Sequence, residues 1–266
     1  MASKEQIQCM KLLDVLGRVI GANTGAATES EWYAEGLANK FYDHAFFVLK
    51  ISGGRTSLVL PSGAIAISGV SSLDVLLRAA FEAFLTFHYV FSIPETPEDK
   101  DFKYWSYRLA GVMDRKDFPA TTDEQKATLA KDKQVIQKLS ERLQSNSSFQ
   151  SLGEKTRKRI LKGTWRLQSW TKIAKEAGLG GLLASHVYCH LCGVAHSSSL
   201  SVLQTKLAYE KHEESVLMGP VVSLINILVA NMVYYYCELF PSLKVILEKD
   251  KAGMKLVEMW VAIGRG

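Results

Sequence analysis

The stretch SLDVLLRAAFEAFLTFHYVFSIP, Ser72 to Pro94, decides the fold. Its apolar residues return at three- and four-residue spacing, which is the period of a helix and not of a strand. Pro94 stops it, because proline lacks the N–H and clashes with the preceding turn. A helix this apolar must be covered on nearly all sides, so it belongs at the centre of a bundle of other helices.

The rest of the chain supplies those helices. Only six prolines occur in 266 residues, and strand signals are sparse. Leu13, Val15, Leu16, Val19 and Ile20 place a first helix over about 3–21, and a capping pattern from Thr28 to Glu31 opens a second near 29–51. GGRTSLVLPSGAIAISG, residues 53–69, breaks the pattern and reads as a glycine-rich loop with at most a short extended piece. Further helices fall over about 97–116, 122–145, 151–163 and 168–177, then up to about His196, from Ser199 to near Lys249, and over 252–263. The expected architecture is all-α, a single irregular multi-helix bundle over 1–266, built around helices at 74–93, 181–196 and 210–239. The helix at 122–145 is charged on most faces, so it is expected to lie outside or project.

Composition agrees with a packed protein: 47% of residues are hydrophobic and 22% charged. Cys9, Cys189, Cys192 and Cys237 are few and scattered, so they read as reduced thiols and point to the cytoplasm. Asp14 and Arg18 interrupt the N-terminal apolar run, unlike a secretory signal. VLMGPVVSLINILVANMVYYYC, Val216 to Cys237, is long enough to span a bilayer. It also carries Ser223, Asn226, Asn231, Pro220 and three tyrosines, and a core helix has the same composition. No membrane is expected.

Polar chemistry concentrates in SHVYCHLCGVAHSSSL, Ser185 to Leu200. Cys189 and Cys192 form a C-x-x-C flanked by histidines. On a helix, however, Cys189 and His196 are about 10 Å apart along the axis, and zinc bonds of about 2.0–2.3 Å cannot bridge that. At most His186 with His190, or Cys192 with His196, shares an ion. No metal and no cofactor is expected. Tyr188, Cys192 and His196 lie four apart on one helical stripe. Arg78 and Glu82 are likewise four apart on the apolar helix, where charges are costly unless paired. The Tyr188/His196 stripe is the expected facing surface. Two readings stay open for Arg78, Glu82, Tyr188 and His196. One is a catalytic centre in which His196 is the acid/base, Arg78 holds a phosphate and Glu82 orients one of them. The other is a structural polar network in a non-catalytic binding or scaffold module.

Arg78 and Glu82, with Tyr188, Cys192, His196 and Ser198, resemble an R-x-x-x-E helix and a Y-x-x-x-[SC]-x-x-x-H-x-S helix of an uncharacterised bacterial all-helical family, over about residues 35–240. That resemblance implies an intracellular helical protein and no particular activity. The chain is also similar, more loosely, to the HEPN superfamily, which includes RNases of toxin and phage-defence systems. The usual HEPN signature, an arginine and then a histidine after four to six residues, does not occur here.

Net charge is +5, and its placement matters more than its size. Residues 152–175 alone carry +7. Lys155, Arg157, Lys158, Arg159, Lys162 and Arg166 are interleaved with Trp165, and Trp170 follows. Cations for phosphate and aromatics for stacking suit RNA or another nucleic acid. An acidic protein partner would suit the cations equally, and a solvated helix face with tryptophan anchors gives the same pattern. The resulting expectation is a nucleic-acid-directed, RNase-like effector, with the binding or scaffold module as its alternative. Homo-oligomers are compatible with either.

Overall fold

The computed structural model describes every residue except Met1, Ala26 and Arg55, and no side chain at 56–58, 60, 66 and 67. It is all-α, as the periodicity requires, with one antiparallel hairpin. The described residues form two compact units, residues 1–88 with 170–266, and residues 89–169.

The first unit is built on α1 (Lys4–Gly21), α2 (Glu29–Ser52), α3 (Val70–Phe87), α11 (Glu214–Leu239) and α13 (Lys251–Arg265). Capping boxes start α1 at Ser3 and α2 at Thr28, where Glu31 reaches back to the Thr28 N–H at 3.0 Å. α11 is the central helix and packs against α1, α2, α3 and α13. Its length and composition would let it cross a membrane, and 72% of its most apolar stretch is buried inside the fold. Its two buried asparagines bond through their amide nitrogens, while their Oδ1 atoms have no hydrogen-bond partner among the described residues. Asn226 donates to the Glu5 carbonyl at 3.0 Å, and Asn231 donates to the Ile227 carbonyl at 2.8 Å. Each fully buried Leu or Phe in this core contributes about 1.5–3 kcal/mol. α1 and α13 approach closely at Gly253, where a Cβ would stand 2.8 Å from Val15 and 2.5 Å from Asp250. Asp250 also caps α13 and pairs with Arg18.

The segment read as a glycine-rich loop is instead a hairpin, β1 (Thr56–Leu60) and β2 (Gly63–Ile67), paired from Thr56↔Ile67 to Leu60↔Gly63. The alternation in GAIAI and a Pro61-Ser62 turn were the strand signals hidden by the flanking glycines. Gly69 then enters α3 at φ +66, a left-handed conformation in which a Cβ would meet Ile51 at 2.5 Å.

α3 runs on as a π turn over His88–Ser92. The second unit then contains α4 (Pro97–Met113), α5 (Asp123–Ser145), α6 (Ser147–Gln150) and α7 (Glu154–Ile160). Its core joins Phe102, Leu109, Leu139, Leu143, Phe149 and Ile160. The helix expected to project is α5. Its first two turns are exposed, and from buried Asp132 onward it packs on α4. Asp132 meets Arg115 at 2.8 Å.

The remaining helices return to the first unit. α8 spans Trp170–Glu176, a π turn covers Leu183–Val187, and α9 spans Tyr188–Ala195. α10 (Ser199–Lys211) follows, then α11, and α12 (Lys244–Lys249) precedes α13. The long helix read from Ser199 onward is broken at His212, which adopts φ +56.

Candidate binding site

Arg78 and Glu82 occupy the face of α3 that meets α9. The Arg78 Nε donates to Glu82 Oε1 at 2.9 Å, and the Tyr188 hydroxyl donates to the same oxygen at 3.1 Å. Tyr188 stacks on Phe81 at 6.0 Å and meets Trp170 at 6.4 Å, with the Arg78 guanidinium over its ring. Cys192, one turn further along α9, lies close enough to act on both Tyr188 and Arg78. Burial, then Cys192 and Glu82, hold the Tyr188 phenol above its ordinary pKa, so it stays a neutral donor. Burial opposes the Arg78 charge, and Glu82 outweighs it, leaving its pKa raised. The side chains of Arg78 and Glu82 are 22% and 33% exposed, so the cluster is partly wet.

His196 is placed apart from this cluster. Tyr188 reaches Glu82, while Val194 shares a cavity wall with Ser71, so α9 runs antiparallel along α3. His196 therefore sits about 12 Å beyond Tyr188 along the helix axis. It is exposed and, among the described residues, makes no hydrogen bond or ion pair with Arg78, Glu82 or Tyr188. Ser197 follows at φ +53, and Ser198 caps α10 by accepting from the Ser201 N–H at 3.3 Å. The four-residue stripe thus holds for Tyr188 and Cys192 and ends before its last member.

The basic segment is divided between the two units. Lys155, Lys158, Arg159 and Lys162 are exposed, and Arg157 and Arg166 are half-buried. Lys158 pairs with Glu154 at 2.6 Å, and Arg166 donates to the Gln168 carbonyl. Trp165 packs edge-on against Tyr89 and Tyr107, and Trp170 packs against Tyr188. Both tryptophans are anchors rather than open stacking surfaces. Cys189 is exposed and Cys192 half-buried. Among the described residues no three of His, Cys, Asp and Glu gather to hold a metal ion.

A cavity of about 540 Å³ opens beside the cluster, walled by α3, the π turn with α9, α10 and α11. Leu77, Leu191, Val194, Val221, Leu224 and Ile227 form much of its apolar lining. Pro220, inside α11, contributes to the same wall. α10 turns an unusual face to it. Ser201, Gln204 and Thr205 point inward, while Leu200, Leu203 and Leu207 are exposed. His186 and His190, one turn apart, stand at the exposed rim.

Asp74 is the one carboxylate among the described residues of this lining. Burial raises its pKa, and the charge of His190 partly offsets that. Among the described residues nothing donates a hydrogen bond to it or ion-pairs with it. Arg78, four residues on, turns to Glu82 instead. Sequence reasoning passed over Asp74. The available signal was the i, i+4, i+8 row Asp74, Arg78, Glu82, in which one arginine faces two acids.

No protein-family model, no curated protein and no solved structure matches this chain.

Proposed function

We propose that this chain is a binding module for a small, mainly apolar molecule, and that Arg78, Glu82 and Tyr188 form the polar clamp holding α9 against α3 beside it. The observation that carries this is the cavity of about 540 Å³ with its largely apolar wall and few polar groups. Small-molecule sites are typically concave, apolar and of about 300–1,000 Å³. Glu82 Oε1 accepts from both Arg78 and Tyr188 and so ties α9 to α3, which suits a structural role.

The experiment is a titration with prodan, a neutral dye whose emission reports an apolar environment. One dye should bind per chain with a blue shift. Thr205→Trp, which fills the cavity from a half-buried position on α10, should remove the signal without lowering thermal stability. Dye binding unchanged by Thr205→Trp, or no binding at all, would refute the reading.

A nucleic-acid-directed effector is the second reading. Its supporting observation is the exposed set Lys155, Lys158, Arg159 and Lys162. With His196 apart from Arg78, this reading needs an acid/base from another position. Single-stranded RNA should then bind with an affinity that falls steeply with salt, and charge reversal at Lys155, Arg159 and Lys162 should abolish binding.

A further inference from the structure

We infer that the cavity takes an apolar amine, its ammonium group paired with Asp74 and its hydrocarbon body lying against Leu77, Leu191, Val221 and Leu224. This rests on reading the cavity as a binding site and names the ligand class. Three observations carry it. Among the described residues, Asp74 is the only acidic side chain in the lining, and no lysine or arginine joins it there. It has no hydrogen-bonding or ion-paired partner among the described residues, although Arg78 is one turn away and engaged elsewhere. The described lining is largely apolar, with neutral polar groups at Ser71, Ser201, Gln204 and Thr205, so apart from the rim histidines it offers the carboxylate no counter-charge.

Each ligand class meets that carboxylate differently. A neutral apolar ligand displaces water and leaves the charge without compensation, which weakens binding. An anion adds repulsion at short range in a low dielectric. A protonated amine supplies both a charge and hydrogen-bond donors, and such charge-assisted bonds are the stronger ones. His190 and His186 are the competing positive groups from α9 and the π turn. They stand at the exposed rim, where solvent screens them. Among the described residues, α10 and α11 place no charged side chain in the lining.

The test is displacement of prodan from the full chain by three probes of one shape: 4-phenylbutylamine, 4-phenylbutanol and 4-phenylbutyrate. The amine should displace the dye at a concentration at least about tenfold lower than the alcohol, with the carboxylate weakest. Asp74→Asn should bring amine and alcohol to within about twofold of each other, each displacement being corrected for the dye affinity measured on that same variant. Equal displacement by all three, no displacement by any, or a carboxylate that wins, would overturn the amine assignment while dye binding still supports the cavity. Failure of the dye itself to bind removes the site, and with it the amine.

Discussion

Two carboxylates stand eight residues apart on α3 and live in opposite circumstances. Glu82 accepts from Arg78 and from the Tyr188 hydroxyl, and the three groups compensate one another. Asp74 lines a largely apolar cavity, where, among the described residues, the charge of His190 favours its ionised form. The first arrangement is what a chain does with a charge it needs for packing. The second leaves a charge with a cost that the fold does not recover. Groups held at such a cost are where binding chemistry tends to lie.

The comparison breaks most visibly at Glu82. Glu82→Ala should leave a half-buried guanidinium and a phenol without their acceptor. Stability should fall by about 1–3 kcal/mol in urea denaturation. The pair is partly exposed, so the loss should stay below the about 3–5 kcal/mol typical of a sealed ion pair. A change under a few tenths of a kcal/mol would show that solvent already satisfies these groups. Tyr188→Phe keeps the rings against Phe81 and Trp170 and removes one hydrogen bond, so about 0.5–1.5 kcal/mol should go. A double-mutant cycle between Glu82→Ala and Tyr188→Phe should show coupling, because both remove the same bond.

Asp74→Asn should move the other way. Because burial raises the Asp74 pKa, the folded chain holds that proton more tightly than the unfolded chain. Stability from this group is present below the ordinary carboxylate pKa and is lost as pH rises through the folded value. The asparagine variant escapes that loss, so its Tm should exceed the wild type modestly at pH 7. The difference should vanish when the wild-type carboxyl is protonated in acid. A lower Tm at pH 7 would mean that Asp74 has a stabilising partner.

The smallest effect belongs to His196. It is exposed at the end of α9, and His196→Ala should change stability by less than about 0.5 kcal/mol. A loss as large as that of Glu82→Ala would tie His196 into the clamp.

The sequence by itself determined the helical class, because a 3.6-residue apolar period cannot bury its face as a strand. It also determined the pairing of Arg78 with Glu82, since i, i+4 neighbours on a helix meet whatever surrounds them. The capping boxes at Thr28 and Ser3 are equally local, and the one at Thr28 was legible in the sequence. Tertiary structure decided the rest. A one-helix stripe makes Tyr188, Cys192 and His196 look equivalent, yet antiparallel packing on α3 delivers Tyr188 to Glu82 and carries His196 away. The hairpin at 56–67 depends on pairing between strands too short for their alternation to stand out among glycines. Above all, the cavity exists in no single segment. Segments from α3 and from the remote stretch 183–239 leave a space between them, and only that space turns Asp74 from a surface-type aspartate into a half-buried carboxylate lining a largely apolar cavity. Helical periodicity reports which side of a helix is covered, while an empty volume depends on the relative placement of all its walls.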